Sequence, residues 1–214
     1  MNAKKFLVLG SVLLLITTQH AKAITLNFSN LVGTDVSFSG GAFSFTSSNG
    51  YQFAITGVSG GVGDSVSDQG YLTPGGPFTI GTITTLGGLE SAPVTGSAIL
   101  HITDNAAIDL TGSIQWIDVE TLGVGGIVNL NGTLNLTGIT YGGAGSDLSA
   151  LAAAGSASDV VTFQFVPAKT LVDLKTTGGD TSYSGSIFAV PEPGSVMLVV
   201  AGLAGLLAFG RSRK

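Results

Sequence analysis

The sequence of 214 residues contains no cysteine. This absence excludes a disulfide-stabilised scaffold, a Cys-ligated zinc or iron–sulfur centre and a thiol nucleophile. Charged residues are scarce as well, at 10% of the chain against about 25% in an ordinary soluble domain. Basic residues are the scarcest, since 8 Lys and Arg stand against 13 Asp and Glu, for a net charge of −5. Because nucleic acid requires a basic surface, we expect no nucleic-acid partner.

Glycine is abundant instead, and apolar and polar residues alternate along many short segments. Strict alternation covers residues 24–28, 43–46, 133–137 and 161–165. A period of two predicts strands with one apolar and one polar face. We therefore expect residues 24–189 to form an all-β domain, an antiparallel β-sandwich or jelly-roll-like fold with less than about a tenth helix. Further strands are predicted at 51–56, 78–84, 98–103, 114–119, 128–131, 171–174 and 182–189.

One short helix is predicted inside this domain. Ser146 or Asp147 is its expected N-cap, residues 148–154 are its alanine-rich body, and Gly155 ends it. Two turns of helix predict a connector between strands.

The N-terminal segment has the features of a secretory signal. Two lysines precede the apolar stretch 6–16, and Ala21 and Ala23 form a small-x-small cleavage site. The stretch is about 17 Å long as a helix, too short to span a hydrocarbon core of about 30 Å. The pattern predicts that signal peptidase removes residues 1–23, so that an extracytoplasmic mature chain begins at Ile24.

The C-terminal segment, residues 190–214, has three parts in a fixed order. Pro191, Glu192 and Pro193 come first, and the prolines favour an extended chain. An uncharged apolar run follows and predicts a single transmembrane helix over about 195–210. The basic tail 211–214 is expected to stay in the cytoplasm by the positive-inside rule. Its cations are Arg211, Arg213 and Lys214.

This tripartite tail resembles the PEP-CTERM sorting signal of Gram-negative bacteria. The resemblance implies that the protein is exported, anchored transiently in the inner membrane, and cut by a membrane transpeptidase called an exosortase. It further implies release to the cell surface or the extracellular space, in species that typically make extracellular polysaccharide. Bodies of such proteins are diverse, and residues 24–189 resemble no characterised family, so the resemblance implies a route and not an activity.

Two patterns in the body are formally compatible with hydrolysis. Ser59 lies in a G-x-S-x-G sequence, and His101 is the one histidine of the mature chain, so the two could form a triad with an aspartate. Glu90 and Glu120, or a pair of aspartates, could supply the two carboxylates that cleave a glycosidic bond. Glycine and serine are so frequent here that a single G-x-S-x-G match does not exceed what chance produces. We therefore expect no enzyme, with a secreted polysaccharide- or ester-hydrolase as the alternative.

Two further patterns concern binding. Asp64 with Asp68, and Asp104 with Asp109, lie on turn-like segments whose oxygen atoms could hold surface calcium. Residues 142–147 match one G-G-x-G-x-D unit, but that calcium site needs tandem copies. No metal-ligand set is complete, so we expect no cofactor, with surface calcium as the alternative.

The expected function is that of an exported surface or matrix protein, structural or exopolysaccharide-associated. A carbohydrate-binding module is a further alternative. It would require an exposed aromatic platform around Trp116, which the alternation also allows to be a core residue.

Overall fold

The structure is a computed structural model that describes residues 23–122 and 130–189. Its two short helices are α1 (Ser146–Ala154) and α2 (Leu171–Thr176). All strand pairs are antiparallel and helix is under a tenth of the described residues, so the predicted all-β antiparallel class is confirmed. The strands are β1 (Ile24–Asn30), β2 (Val36–Ser39), β3 (Ala42–Phe45), β4 (Phe53–Ser59), β5 (Gln69–Thr73), β6 (Phe78–Ile80), β7 (Thr84–Leu86), β8 (Leu89–Thr95), β9 (Ser97–Thr103), β10 (Asp109–Leu122), β11 (Leu130–Thr140), β12 (Ser156–Phe163), β13 (Gly179–Thr181) and β14 (Tyr183–Ala189).

Eight of the strands pair in a closed ring, which we call the barrel sheet. Its order is β10, β11, β12, β14, β1, β4, β5 and β9, and β9 pairs with β10 again. The remaining strands form a side sheet in the order β8, β6, β3, β2 and β13, with β7 paired to β8. Since β8 also pairs with β10, the side sheet is continuous with the barrel sheet. Closure removes the unpaired edges that open sheets must protect from aggregation.

One aromatic core joins the two sheets. The Phe43 ring of β3 meets Trp116 of β10 edge-on, with centroids 4.8 Å apart, and Phe38 of β2 meets Phe163 of β12 in the same way at 5.3 Å. Such pairs add about 0.5–1.5 kcal/mol each beyond the burial of their area. The predicted alternation explains this core, because it directs every second side chain of each strand inward.

The strand predicted at 171–174 is wrong, because these residues begin α2. The Thr170 hydroxyl accepts a hydrogen bond from the backbone N–H of Asp173, and the Asp173 carboxylate accepts one from the N–H of Thr170. This reciprocal capping box satisfies two donors that the first helical turn leaves free. The local cap therefore outweighs the β-propensity of the apolar residues that follow it.

Helix α1 forms where the sequence predicts it. It ends at Gly155, whose φ of 72° lies in the left-handed region that glycine adopts without strain. Its N-cap is Gly145, and not Ser146 or Asp147 as expected, and no side chain of its own caps it. The donors of its first turn are satisfied from a distant loop, as described below.

The first and last described strands are neighbours. Ile24, the first residue of β1, pairs with Ala189, the last residue of β14. No helix among the described residues is long and apolar enough to cross a membrane. The predicted signal peptide, apart from an exposed Ala23, and the predicted anchor over 195–210 lie outside the described residues, so these boundaries stay predictions.

Candidate functional site

The structure does not bring Ser59 and His101 together. Phe53 of β4 pairs with Gly70 of β5, and Tyr71 pairs with His101 of β9. These pairings place Phe53 and His101 at nearly the same height along the barrel sheet. Ser59 lies six residues further along β4, so at about 3.3 Å per residue it is about 20 Å from that height. Ser59 also ends a strand that no helix follows, unlike a nucleophile elbow.

His101 belongs to a local network on the barrel wall. Its Nδ1 lies 3.2 Å from Oδ2 of Asp109, and its ring stacks on Tyr71 with centroids 4.4 Å apart. The Thr103 hydroxyl donates to Oδ1 of Asp109 at 2.7 Å, and the Tyr71 hydroxyl donates to Oδ2 at 3.3 Å. Burial and the neighbouring carboxylate raise the pKa of Tyr71. Asp109, a predicted calcium ligand, is thus engaged by three side chains of its own domain.

The other predicted calcium ligands meet at one end of the barrel, which we call the loop end and define as the segments 60–68, 104–108 and 141–147. Buried Asp147 accepts hydrogen bonds from three backbone N–H groups and one hydroxyl of residues 62–65. In return, Asp64 accepts from the backbone N–H groups of Ser146 and Asp147, at 2.6 and 3.0 Å. The two carboxylates therefore fasten one loop to the N-terminus of α1, where negative charge is also favoured by the helix dipole.

Asp104 serves its own loop in the same way. One carboxylate oxygen accepts the N–H groups of Ala106 and Ile108 at 2.8 Å, and the other accepts the Tyr141 hydroxyl at 2.5 Å. The hydrogen bond from Tyr141 lowers the pKa of Asp104. Among the described residues, no three acidic or histidine side chains are grouped so that they could hold a metal ion.

Asp68 is the exception at the loop end. Its side chain is buried, and its Oδ1 has no hydrogen-bond partner among the described residues. Burial raises its pKa to about 6, with smaller contributions from Asp104, Asp64 and Asp147. Burial first, and the like charges of its neighbours second, therefore favour the protonated form of Asp68.

The glutamates do not form an acid–base pair. Glu90 of β8 pairs with Thr121 of β10, so it shares a face with that buried threonine, whereas Glu120 is one residue away and points to the opposite face. The Glu90 carboxylate instead accepts the N–H of Leu171 at 2.7 Å, at the start of α2. The neighbouring Trp116 is 3% exposed, so it is a core residue and not the platform of a carbohydrate site.

A buried carboxyl inside the barrel was missed in the sequence. Asp159 of β12 lines a cavity of about 20 Å³ together with Trp116 and Tyr183, and burial raises its pKa to about 8. Neither its Oδ1 nor the Trp116 indole N–H has a partner among the described residues. The space suits one water molecule between polar groups. Residues 161, 163 and 165 are the apolar, inward positions of the predicted alternation. Extending the same period of two toward the N-terminus would have predicted that residue 159 points inward.

The outer surface of β10, β11, β12, β14, β1 and β4 is unusual in its chemistry, and we call it the six-strand face. Antiparallel register aligns its outward residues in three cross-strand rows of six, none of them buried. Asp118 and Glu120, both on β10, are the charged residues of these rows. The rows are Gln115, Asn135, Ser158, Phe188, Thr25 and Ser59; then Asp118, Thr133, Val160, Ser186, Asn27 and Gly57; then Glu120, Asn131, Thr162, Ser184, Ser29 and Ala54.

Neighbouring side chains within the rows form hydrogen bonds with one another and still have donors and acceptors free. The Thr162 hydroxyl donates to the Asn131 amide oxygen at 2.9 Å, and the Ser186 hydroxyl donates to the Asn27 amide oxygen at 2.7 Å. A hydroxyl oxygen can still accept, and an amide nitrogen can still donate. Twelve of the 18 residues in the rows are therefore uncharged donors and acceptors.

A shallow groove of about 230 Å³ lies on this face. Phe188 forms part of its wall and is 37% exposed. The remaining polar wall carries no charge and consists of Asn135, Thr137, Ser156 and Ser158. Alternation in β14, with residues 183 and 187 buried, could have identified Phe188 as an outward aromatic residue.

Comparison with known proteins identifies the C-terminal segment. A family model for the PEP-CTERM protein-sorting motif matches residues 189–214. The chain carries a PEP-CTERM sorting motif. The motif marks an exported protein that is anchored transiently in the membrane and processed by an exosortase. Neither the search of characterised proteins nor that of solved structures finds a match.

The match extends over every residue predicted to act in sorting. These residues lie outside the described part of the structure, so their individual roles stay predictions, as does cleavage at Ala21 and Ala23. They are Pro191, Glu192, Pro193, Arg211, Arg213 and Lys214.

Proposed function

We propose that the released PEP-CTERM protein is a non-enzymatic component of the cell surface or matrix that associates with exopolysaccharide. The six-strand face is the observation that carries this proposal. Polysaccharides present dense hydroxyl groups, which pair well with neutral hydroxyls and amides. Burying such groups against partners of the same kind avoids the large desolvation penalty of buried charge.

A binding role is also supported by the acidic side chains, because several of them are hydrogen-bonded within the domain. Asp64, Asp104 and Asp147 hold loops, Asp109 holds the wall network, and Glu90 meets the start of α2. A general acid or base would need a carboxyl aimed at substrate. We expect purified exported protein to be inactive on ester and glycoside substrates without added metal or cofactor, and turnover of either substrate would favour the hydrolase.

Association with polysaccharide is tested by co-sedimentation of the exported protein with the host's own exopolysaccharide. Contacts to the uncharged residues of the six-strand face are screened little by salt, so the bound fraction should be the same in 0.1 M and 1 M NaCl. Absence from the pellet would refute the proposal. Binding that disappears at high salt would show that charge, and not the six-strand face, holds the polymer.

The proposed route begins with signal peptidase and continues with an inner-membrane anchor over 195–210. Replacing Pro191, Glu192 and Pro193 by alanine should leave the anchor intact and trap an unprocessed, membrane-bound form. The matched control is Ser195→Ala, outside the motif's proline pair, which should be processed at the wild-type rate. Immunoblots of membrane and medium fractions measure this, and normal release of the triple variant would show that the three residues are not recognised.

A further inference from the structure

We infer that the groove beside Phe188 is a subsite that binds one sugar ring of an uncharged glycan chain. This inference rests on the proposed function and names the place where the six-strand face makes its central contact. It differs from the aromatic platform predicted around Trp116, which the structure buries.

The position of Phe188 fits a ring-stacking role. It stands in the middle of a polar row, between Ser158 on β12 and Thr25 on β1, each about 4.8 Å away across the sheet. A pyranose has an apolar C–H surface and hydroxyl groups around its rim. When that surface covers an aromatic ring, its rim hydroxyls reach the polar groups on either side.

The groove places suitable partners along that rim. Asn135 lies one strand beyond Ser158 in the same row, and Thr137 and Ser156 form the next row of the wall. The Asn135 amide both donates and accepts, and each hydroxyl does the same. A sugar hydroxyl, which is also donor and acceptor, can be satisfied in either sense.

The charge distribution of the domain favours an uncharged glycan over an acidic one. Among the described residues, none that lines the groove is charged. All but one of the 13 acidic residues of the chain lie in residues 24–189, which hold only two of its eight basic residues. The field of such a domain repels acidic polymers and leaves a neutral one unaffected. The rows continue on both sides of the groove, so a chain of sugars can extend across neighbouring strands.

The test uses the full exported protein and the host's extracellular polysaccharide, separated by anion exchange into an uncharged and an acidic fraction. Affinity electrophoresis compares the wild type with Phe188→Ser, Phe188→Tyr and a matched control, Leu86→Ser. Leu86 is 79% exposed on β7, outside the six-strand face. Loss of a central aromatic anchor should weaken binding of the uncharged fraction about tenfold. Phe188→Tyr, which keeps the ring, and Leu86→Ser should bind like the wild type.

The other outcomes each overturn a distinct statement. If Phe188→Ser binds like the wild type, the subsite is wrong while the association with polysaccharide stands. If the wild type binds the acidic fraction alone, the inference of an uncharged glycan is wrong. If the groove is covered by a second copy, sedimentation will show a dimer that Phe188→Ser abolishes, and the inference fails. If the wild type binds neither fraction, the proposed function itself fails.

Discussion

The loop end and the six-strand face are both polar, yet they use polar side chains in opposite ways. At the loop end, all the carboxylates except that of Asp68 are occupied by backbone donors, as Asp147 is by residues 62–65. On the face, hydroxyls and amides turn outward and keep bonding capacity free, as Thr162 and Asn131 do. The comparison shows that the acidic residues, the most conspicuous polar groups in the sequence, mainly hold the fold. Uncharged residues make up most of the six-strand face, the surface that we propose binds polysaccharide.

The largest effect should follow from breaking the loop end at Asp147. Asp147→Ala leaves the N–H and hydroxyl of buried Ser65 without their acceptor, together with two partly buried N–H groups of residues 62 and 63. Hydrogen bonds to a charged group contribute about 1.5–3 kcal/mol each. We expect a loss of at least about 3 kcal/mol in the free energy of unfolding, measured by urea denaturation. The matched control is Asp118→Ala on the face, which should change stability by less than about 0.5 kcal/mol. If both substitutions lowered the free energy of unfolding equally, the proposed difference between the loop end and the six-strand face would be wrong.

A second prediction concerns Asp159 inside the barrel. Its carboxyl is neither hydrogen-bonded by backbone N–H groups of the described residues, as at the loop end, nor exposed to solvent, as on the six-strand face. Its pKa of about 8 in the folded chain exceeds that of an unfolded carboxyl near 4. Between these values the folded state holds a proton that the unfolded state releases. The free energy of unfolding therefore falls as pH rises from about 4 to about 8.

Asp159→Asn removes this pH dependence. The variant should match the wild type near pH 5 and exceed it by about 4 kcal/mol near pH 8, at about 1.4 kcal/mol per pH unit. Urea denaturation across this range measures the effect, with Asp118→Asn as the control. Parallel stability curves for wild type and Asp159→Asn would show that Asp159 is not held protonated by burial.

Much of the fold could be predicted because alternation is a local signal. It placed strands at 24–28 and 133–137 with the correct inward set, and Gly155 marked the end of α1. Closure of the barrel could not be predicted, since Ile24 and Ala189 are far apart in sequence and strands of the same pattern could pair in many orders. The strand predicted at 171–174 is wrong because the β-propensity of these residues takes no account of the Thr170–Asp173 cap, which starts a helix.

The candidate site was harder to predict than the fold. The inward or outward direction of Phe188 and Trp116 could be inferred from alternation. Their alignment with residues on other strands depends on register, which long-range pairing sets. The loop end shows the same limit, because Asp64 and Asp147 meet across 83 residues of sequence.

A smaller effect should follow from removing one hydroxyl of the face. Thr162→Ala deletes an exposed hydrogen bond to Asn131, so stability should change by less than about 0.5 kcal/mol. Retention on exopolysaccharide should nevertheless weaken about twofold, because one contact of an extended array is lost. Thr84→Ala, on exposed β7, is the matched control and should leave retention unchanged. A large stability loss for Thr162→Ala would show that the face holds the fold as the loop end does.

Hydroxyl-radical footprinting of the exported protein, with and without the host's exopolysaccharide, tests the central claim most directly. It reports side-chain accessibility in both regions at once, through Phe188 on the face and Val62, which is 75% exposed, at the loop end. We expect the polysaccharide to protect Phe188 and to leave oxidation of Val62 unchanged. Protection of Val62 with Phe188 still fully reactive would place the polymer at the loop end and contradict the account.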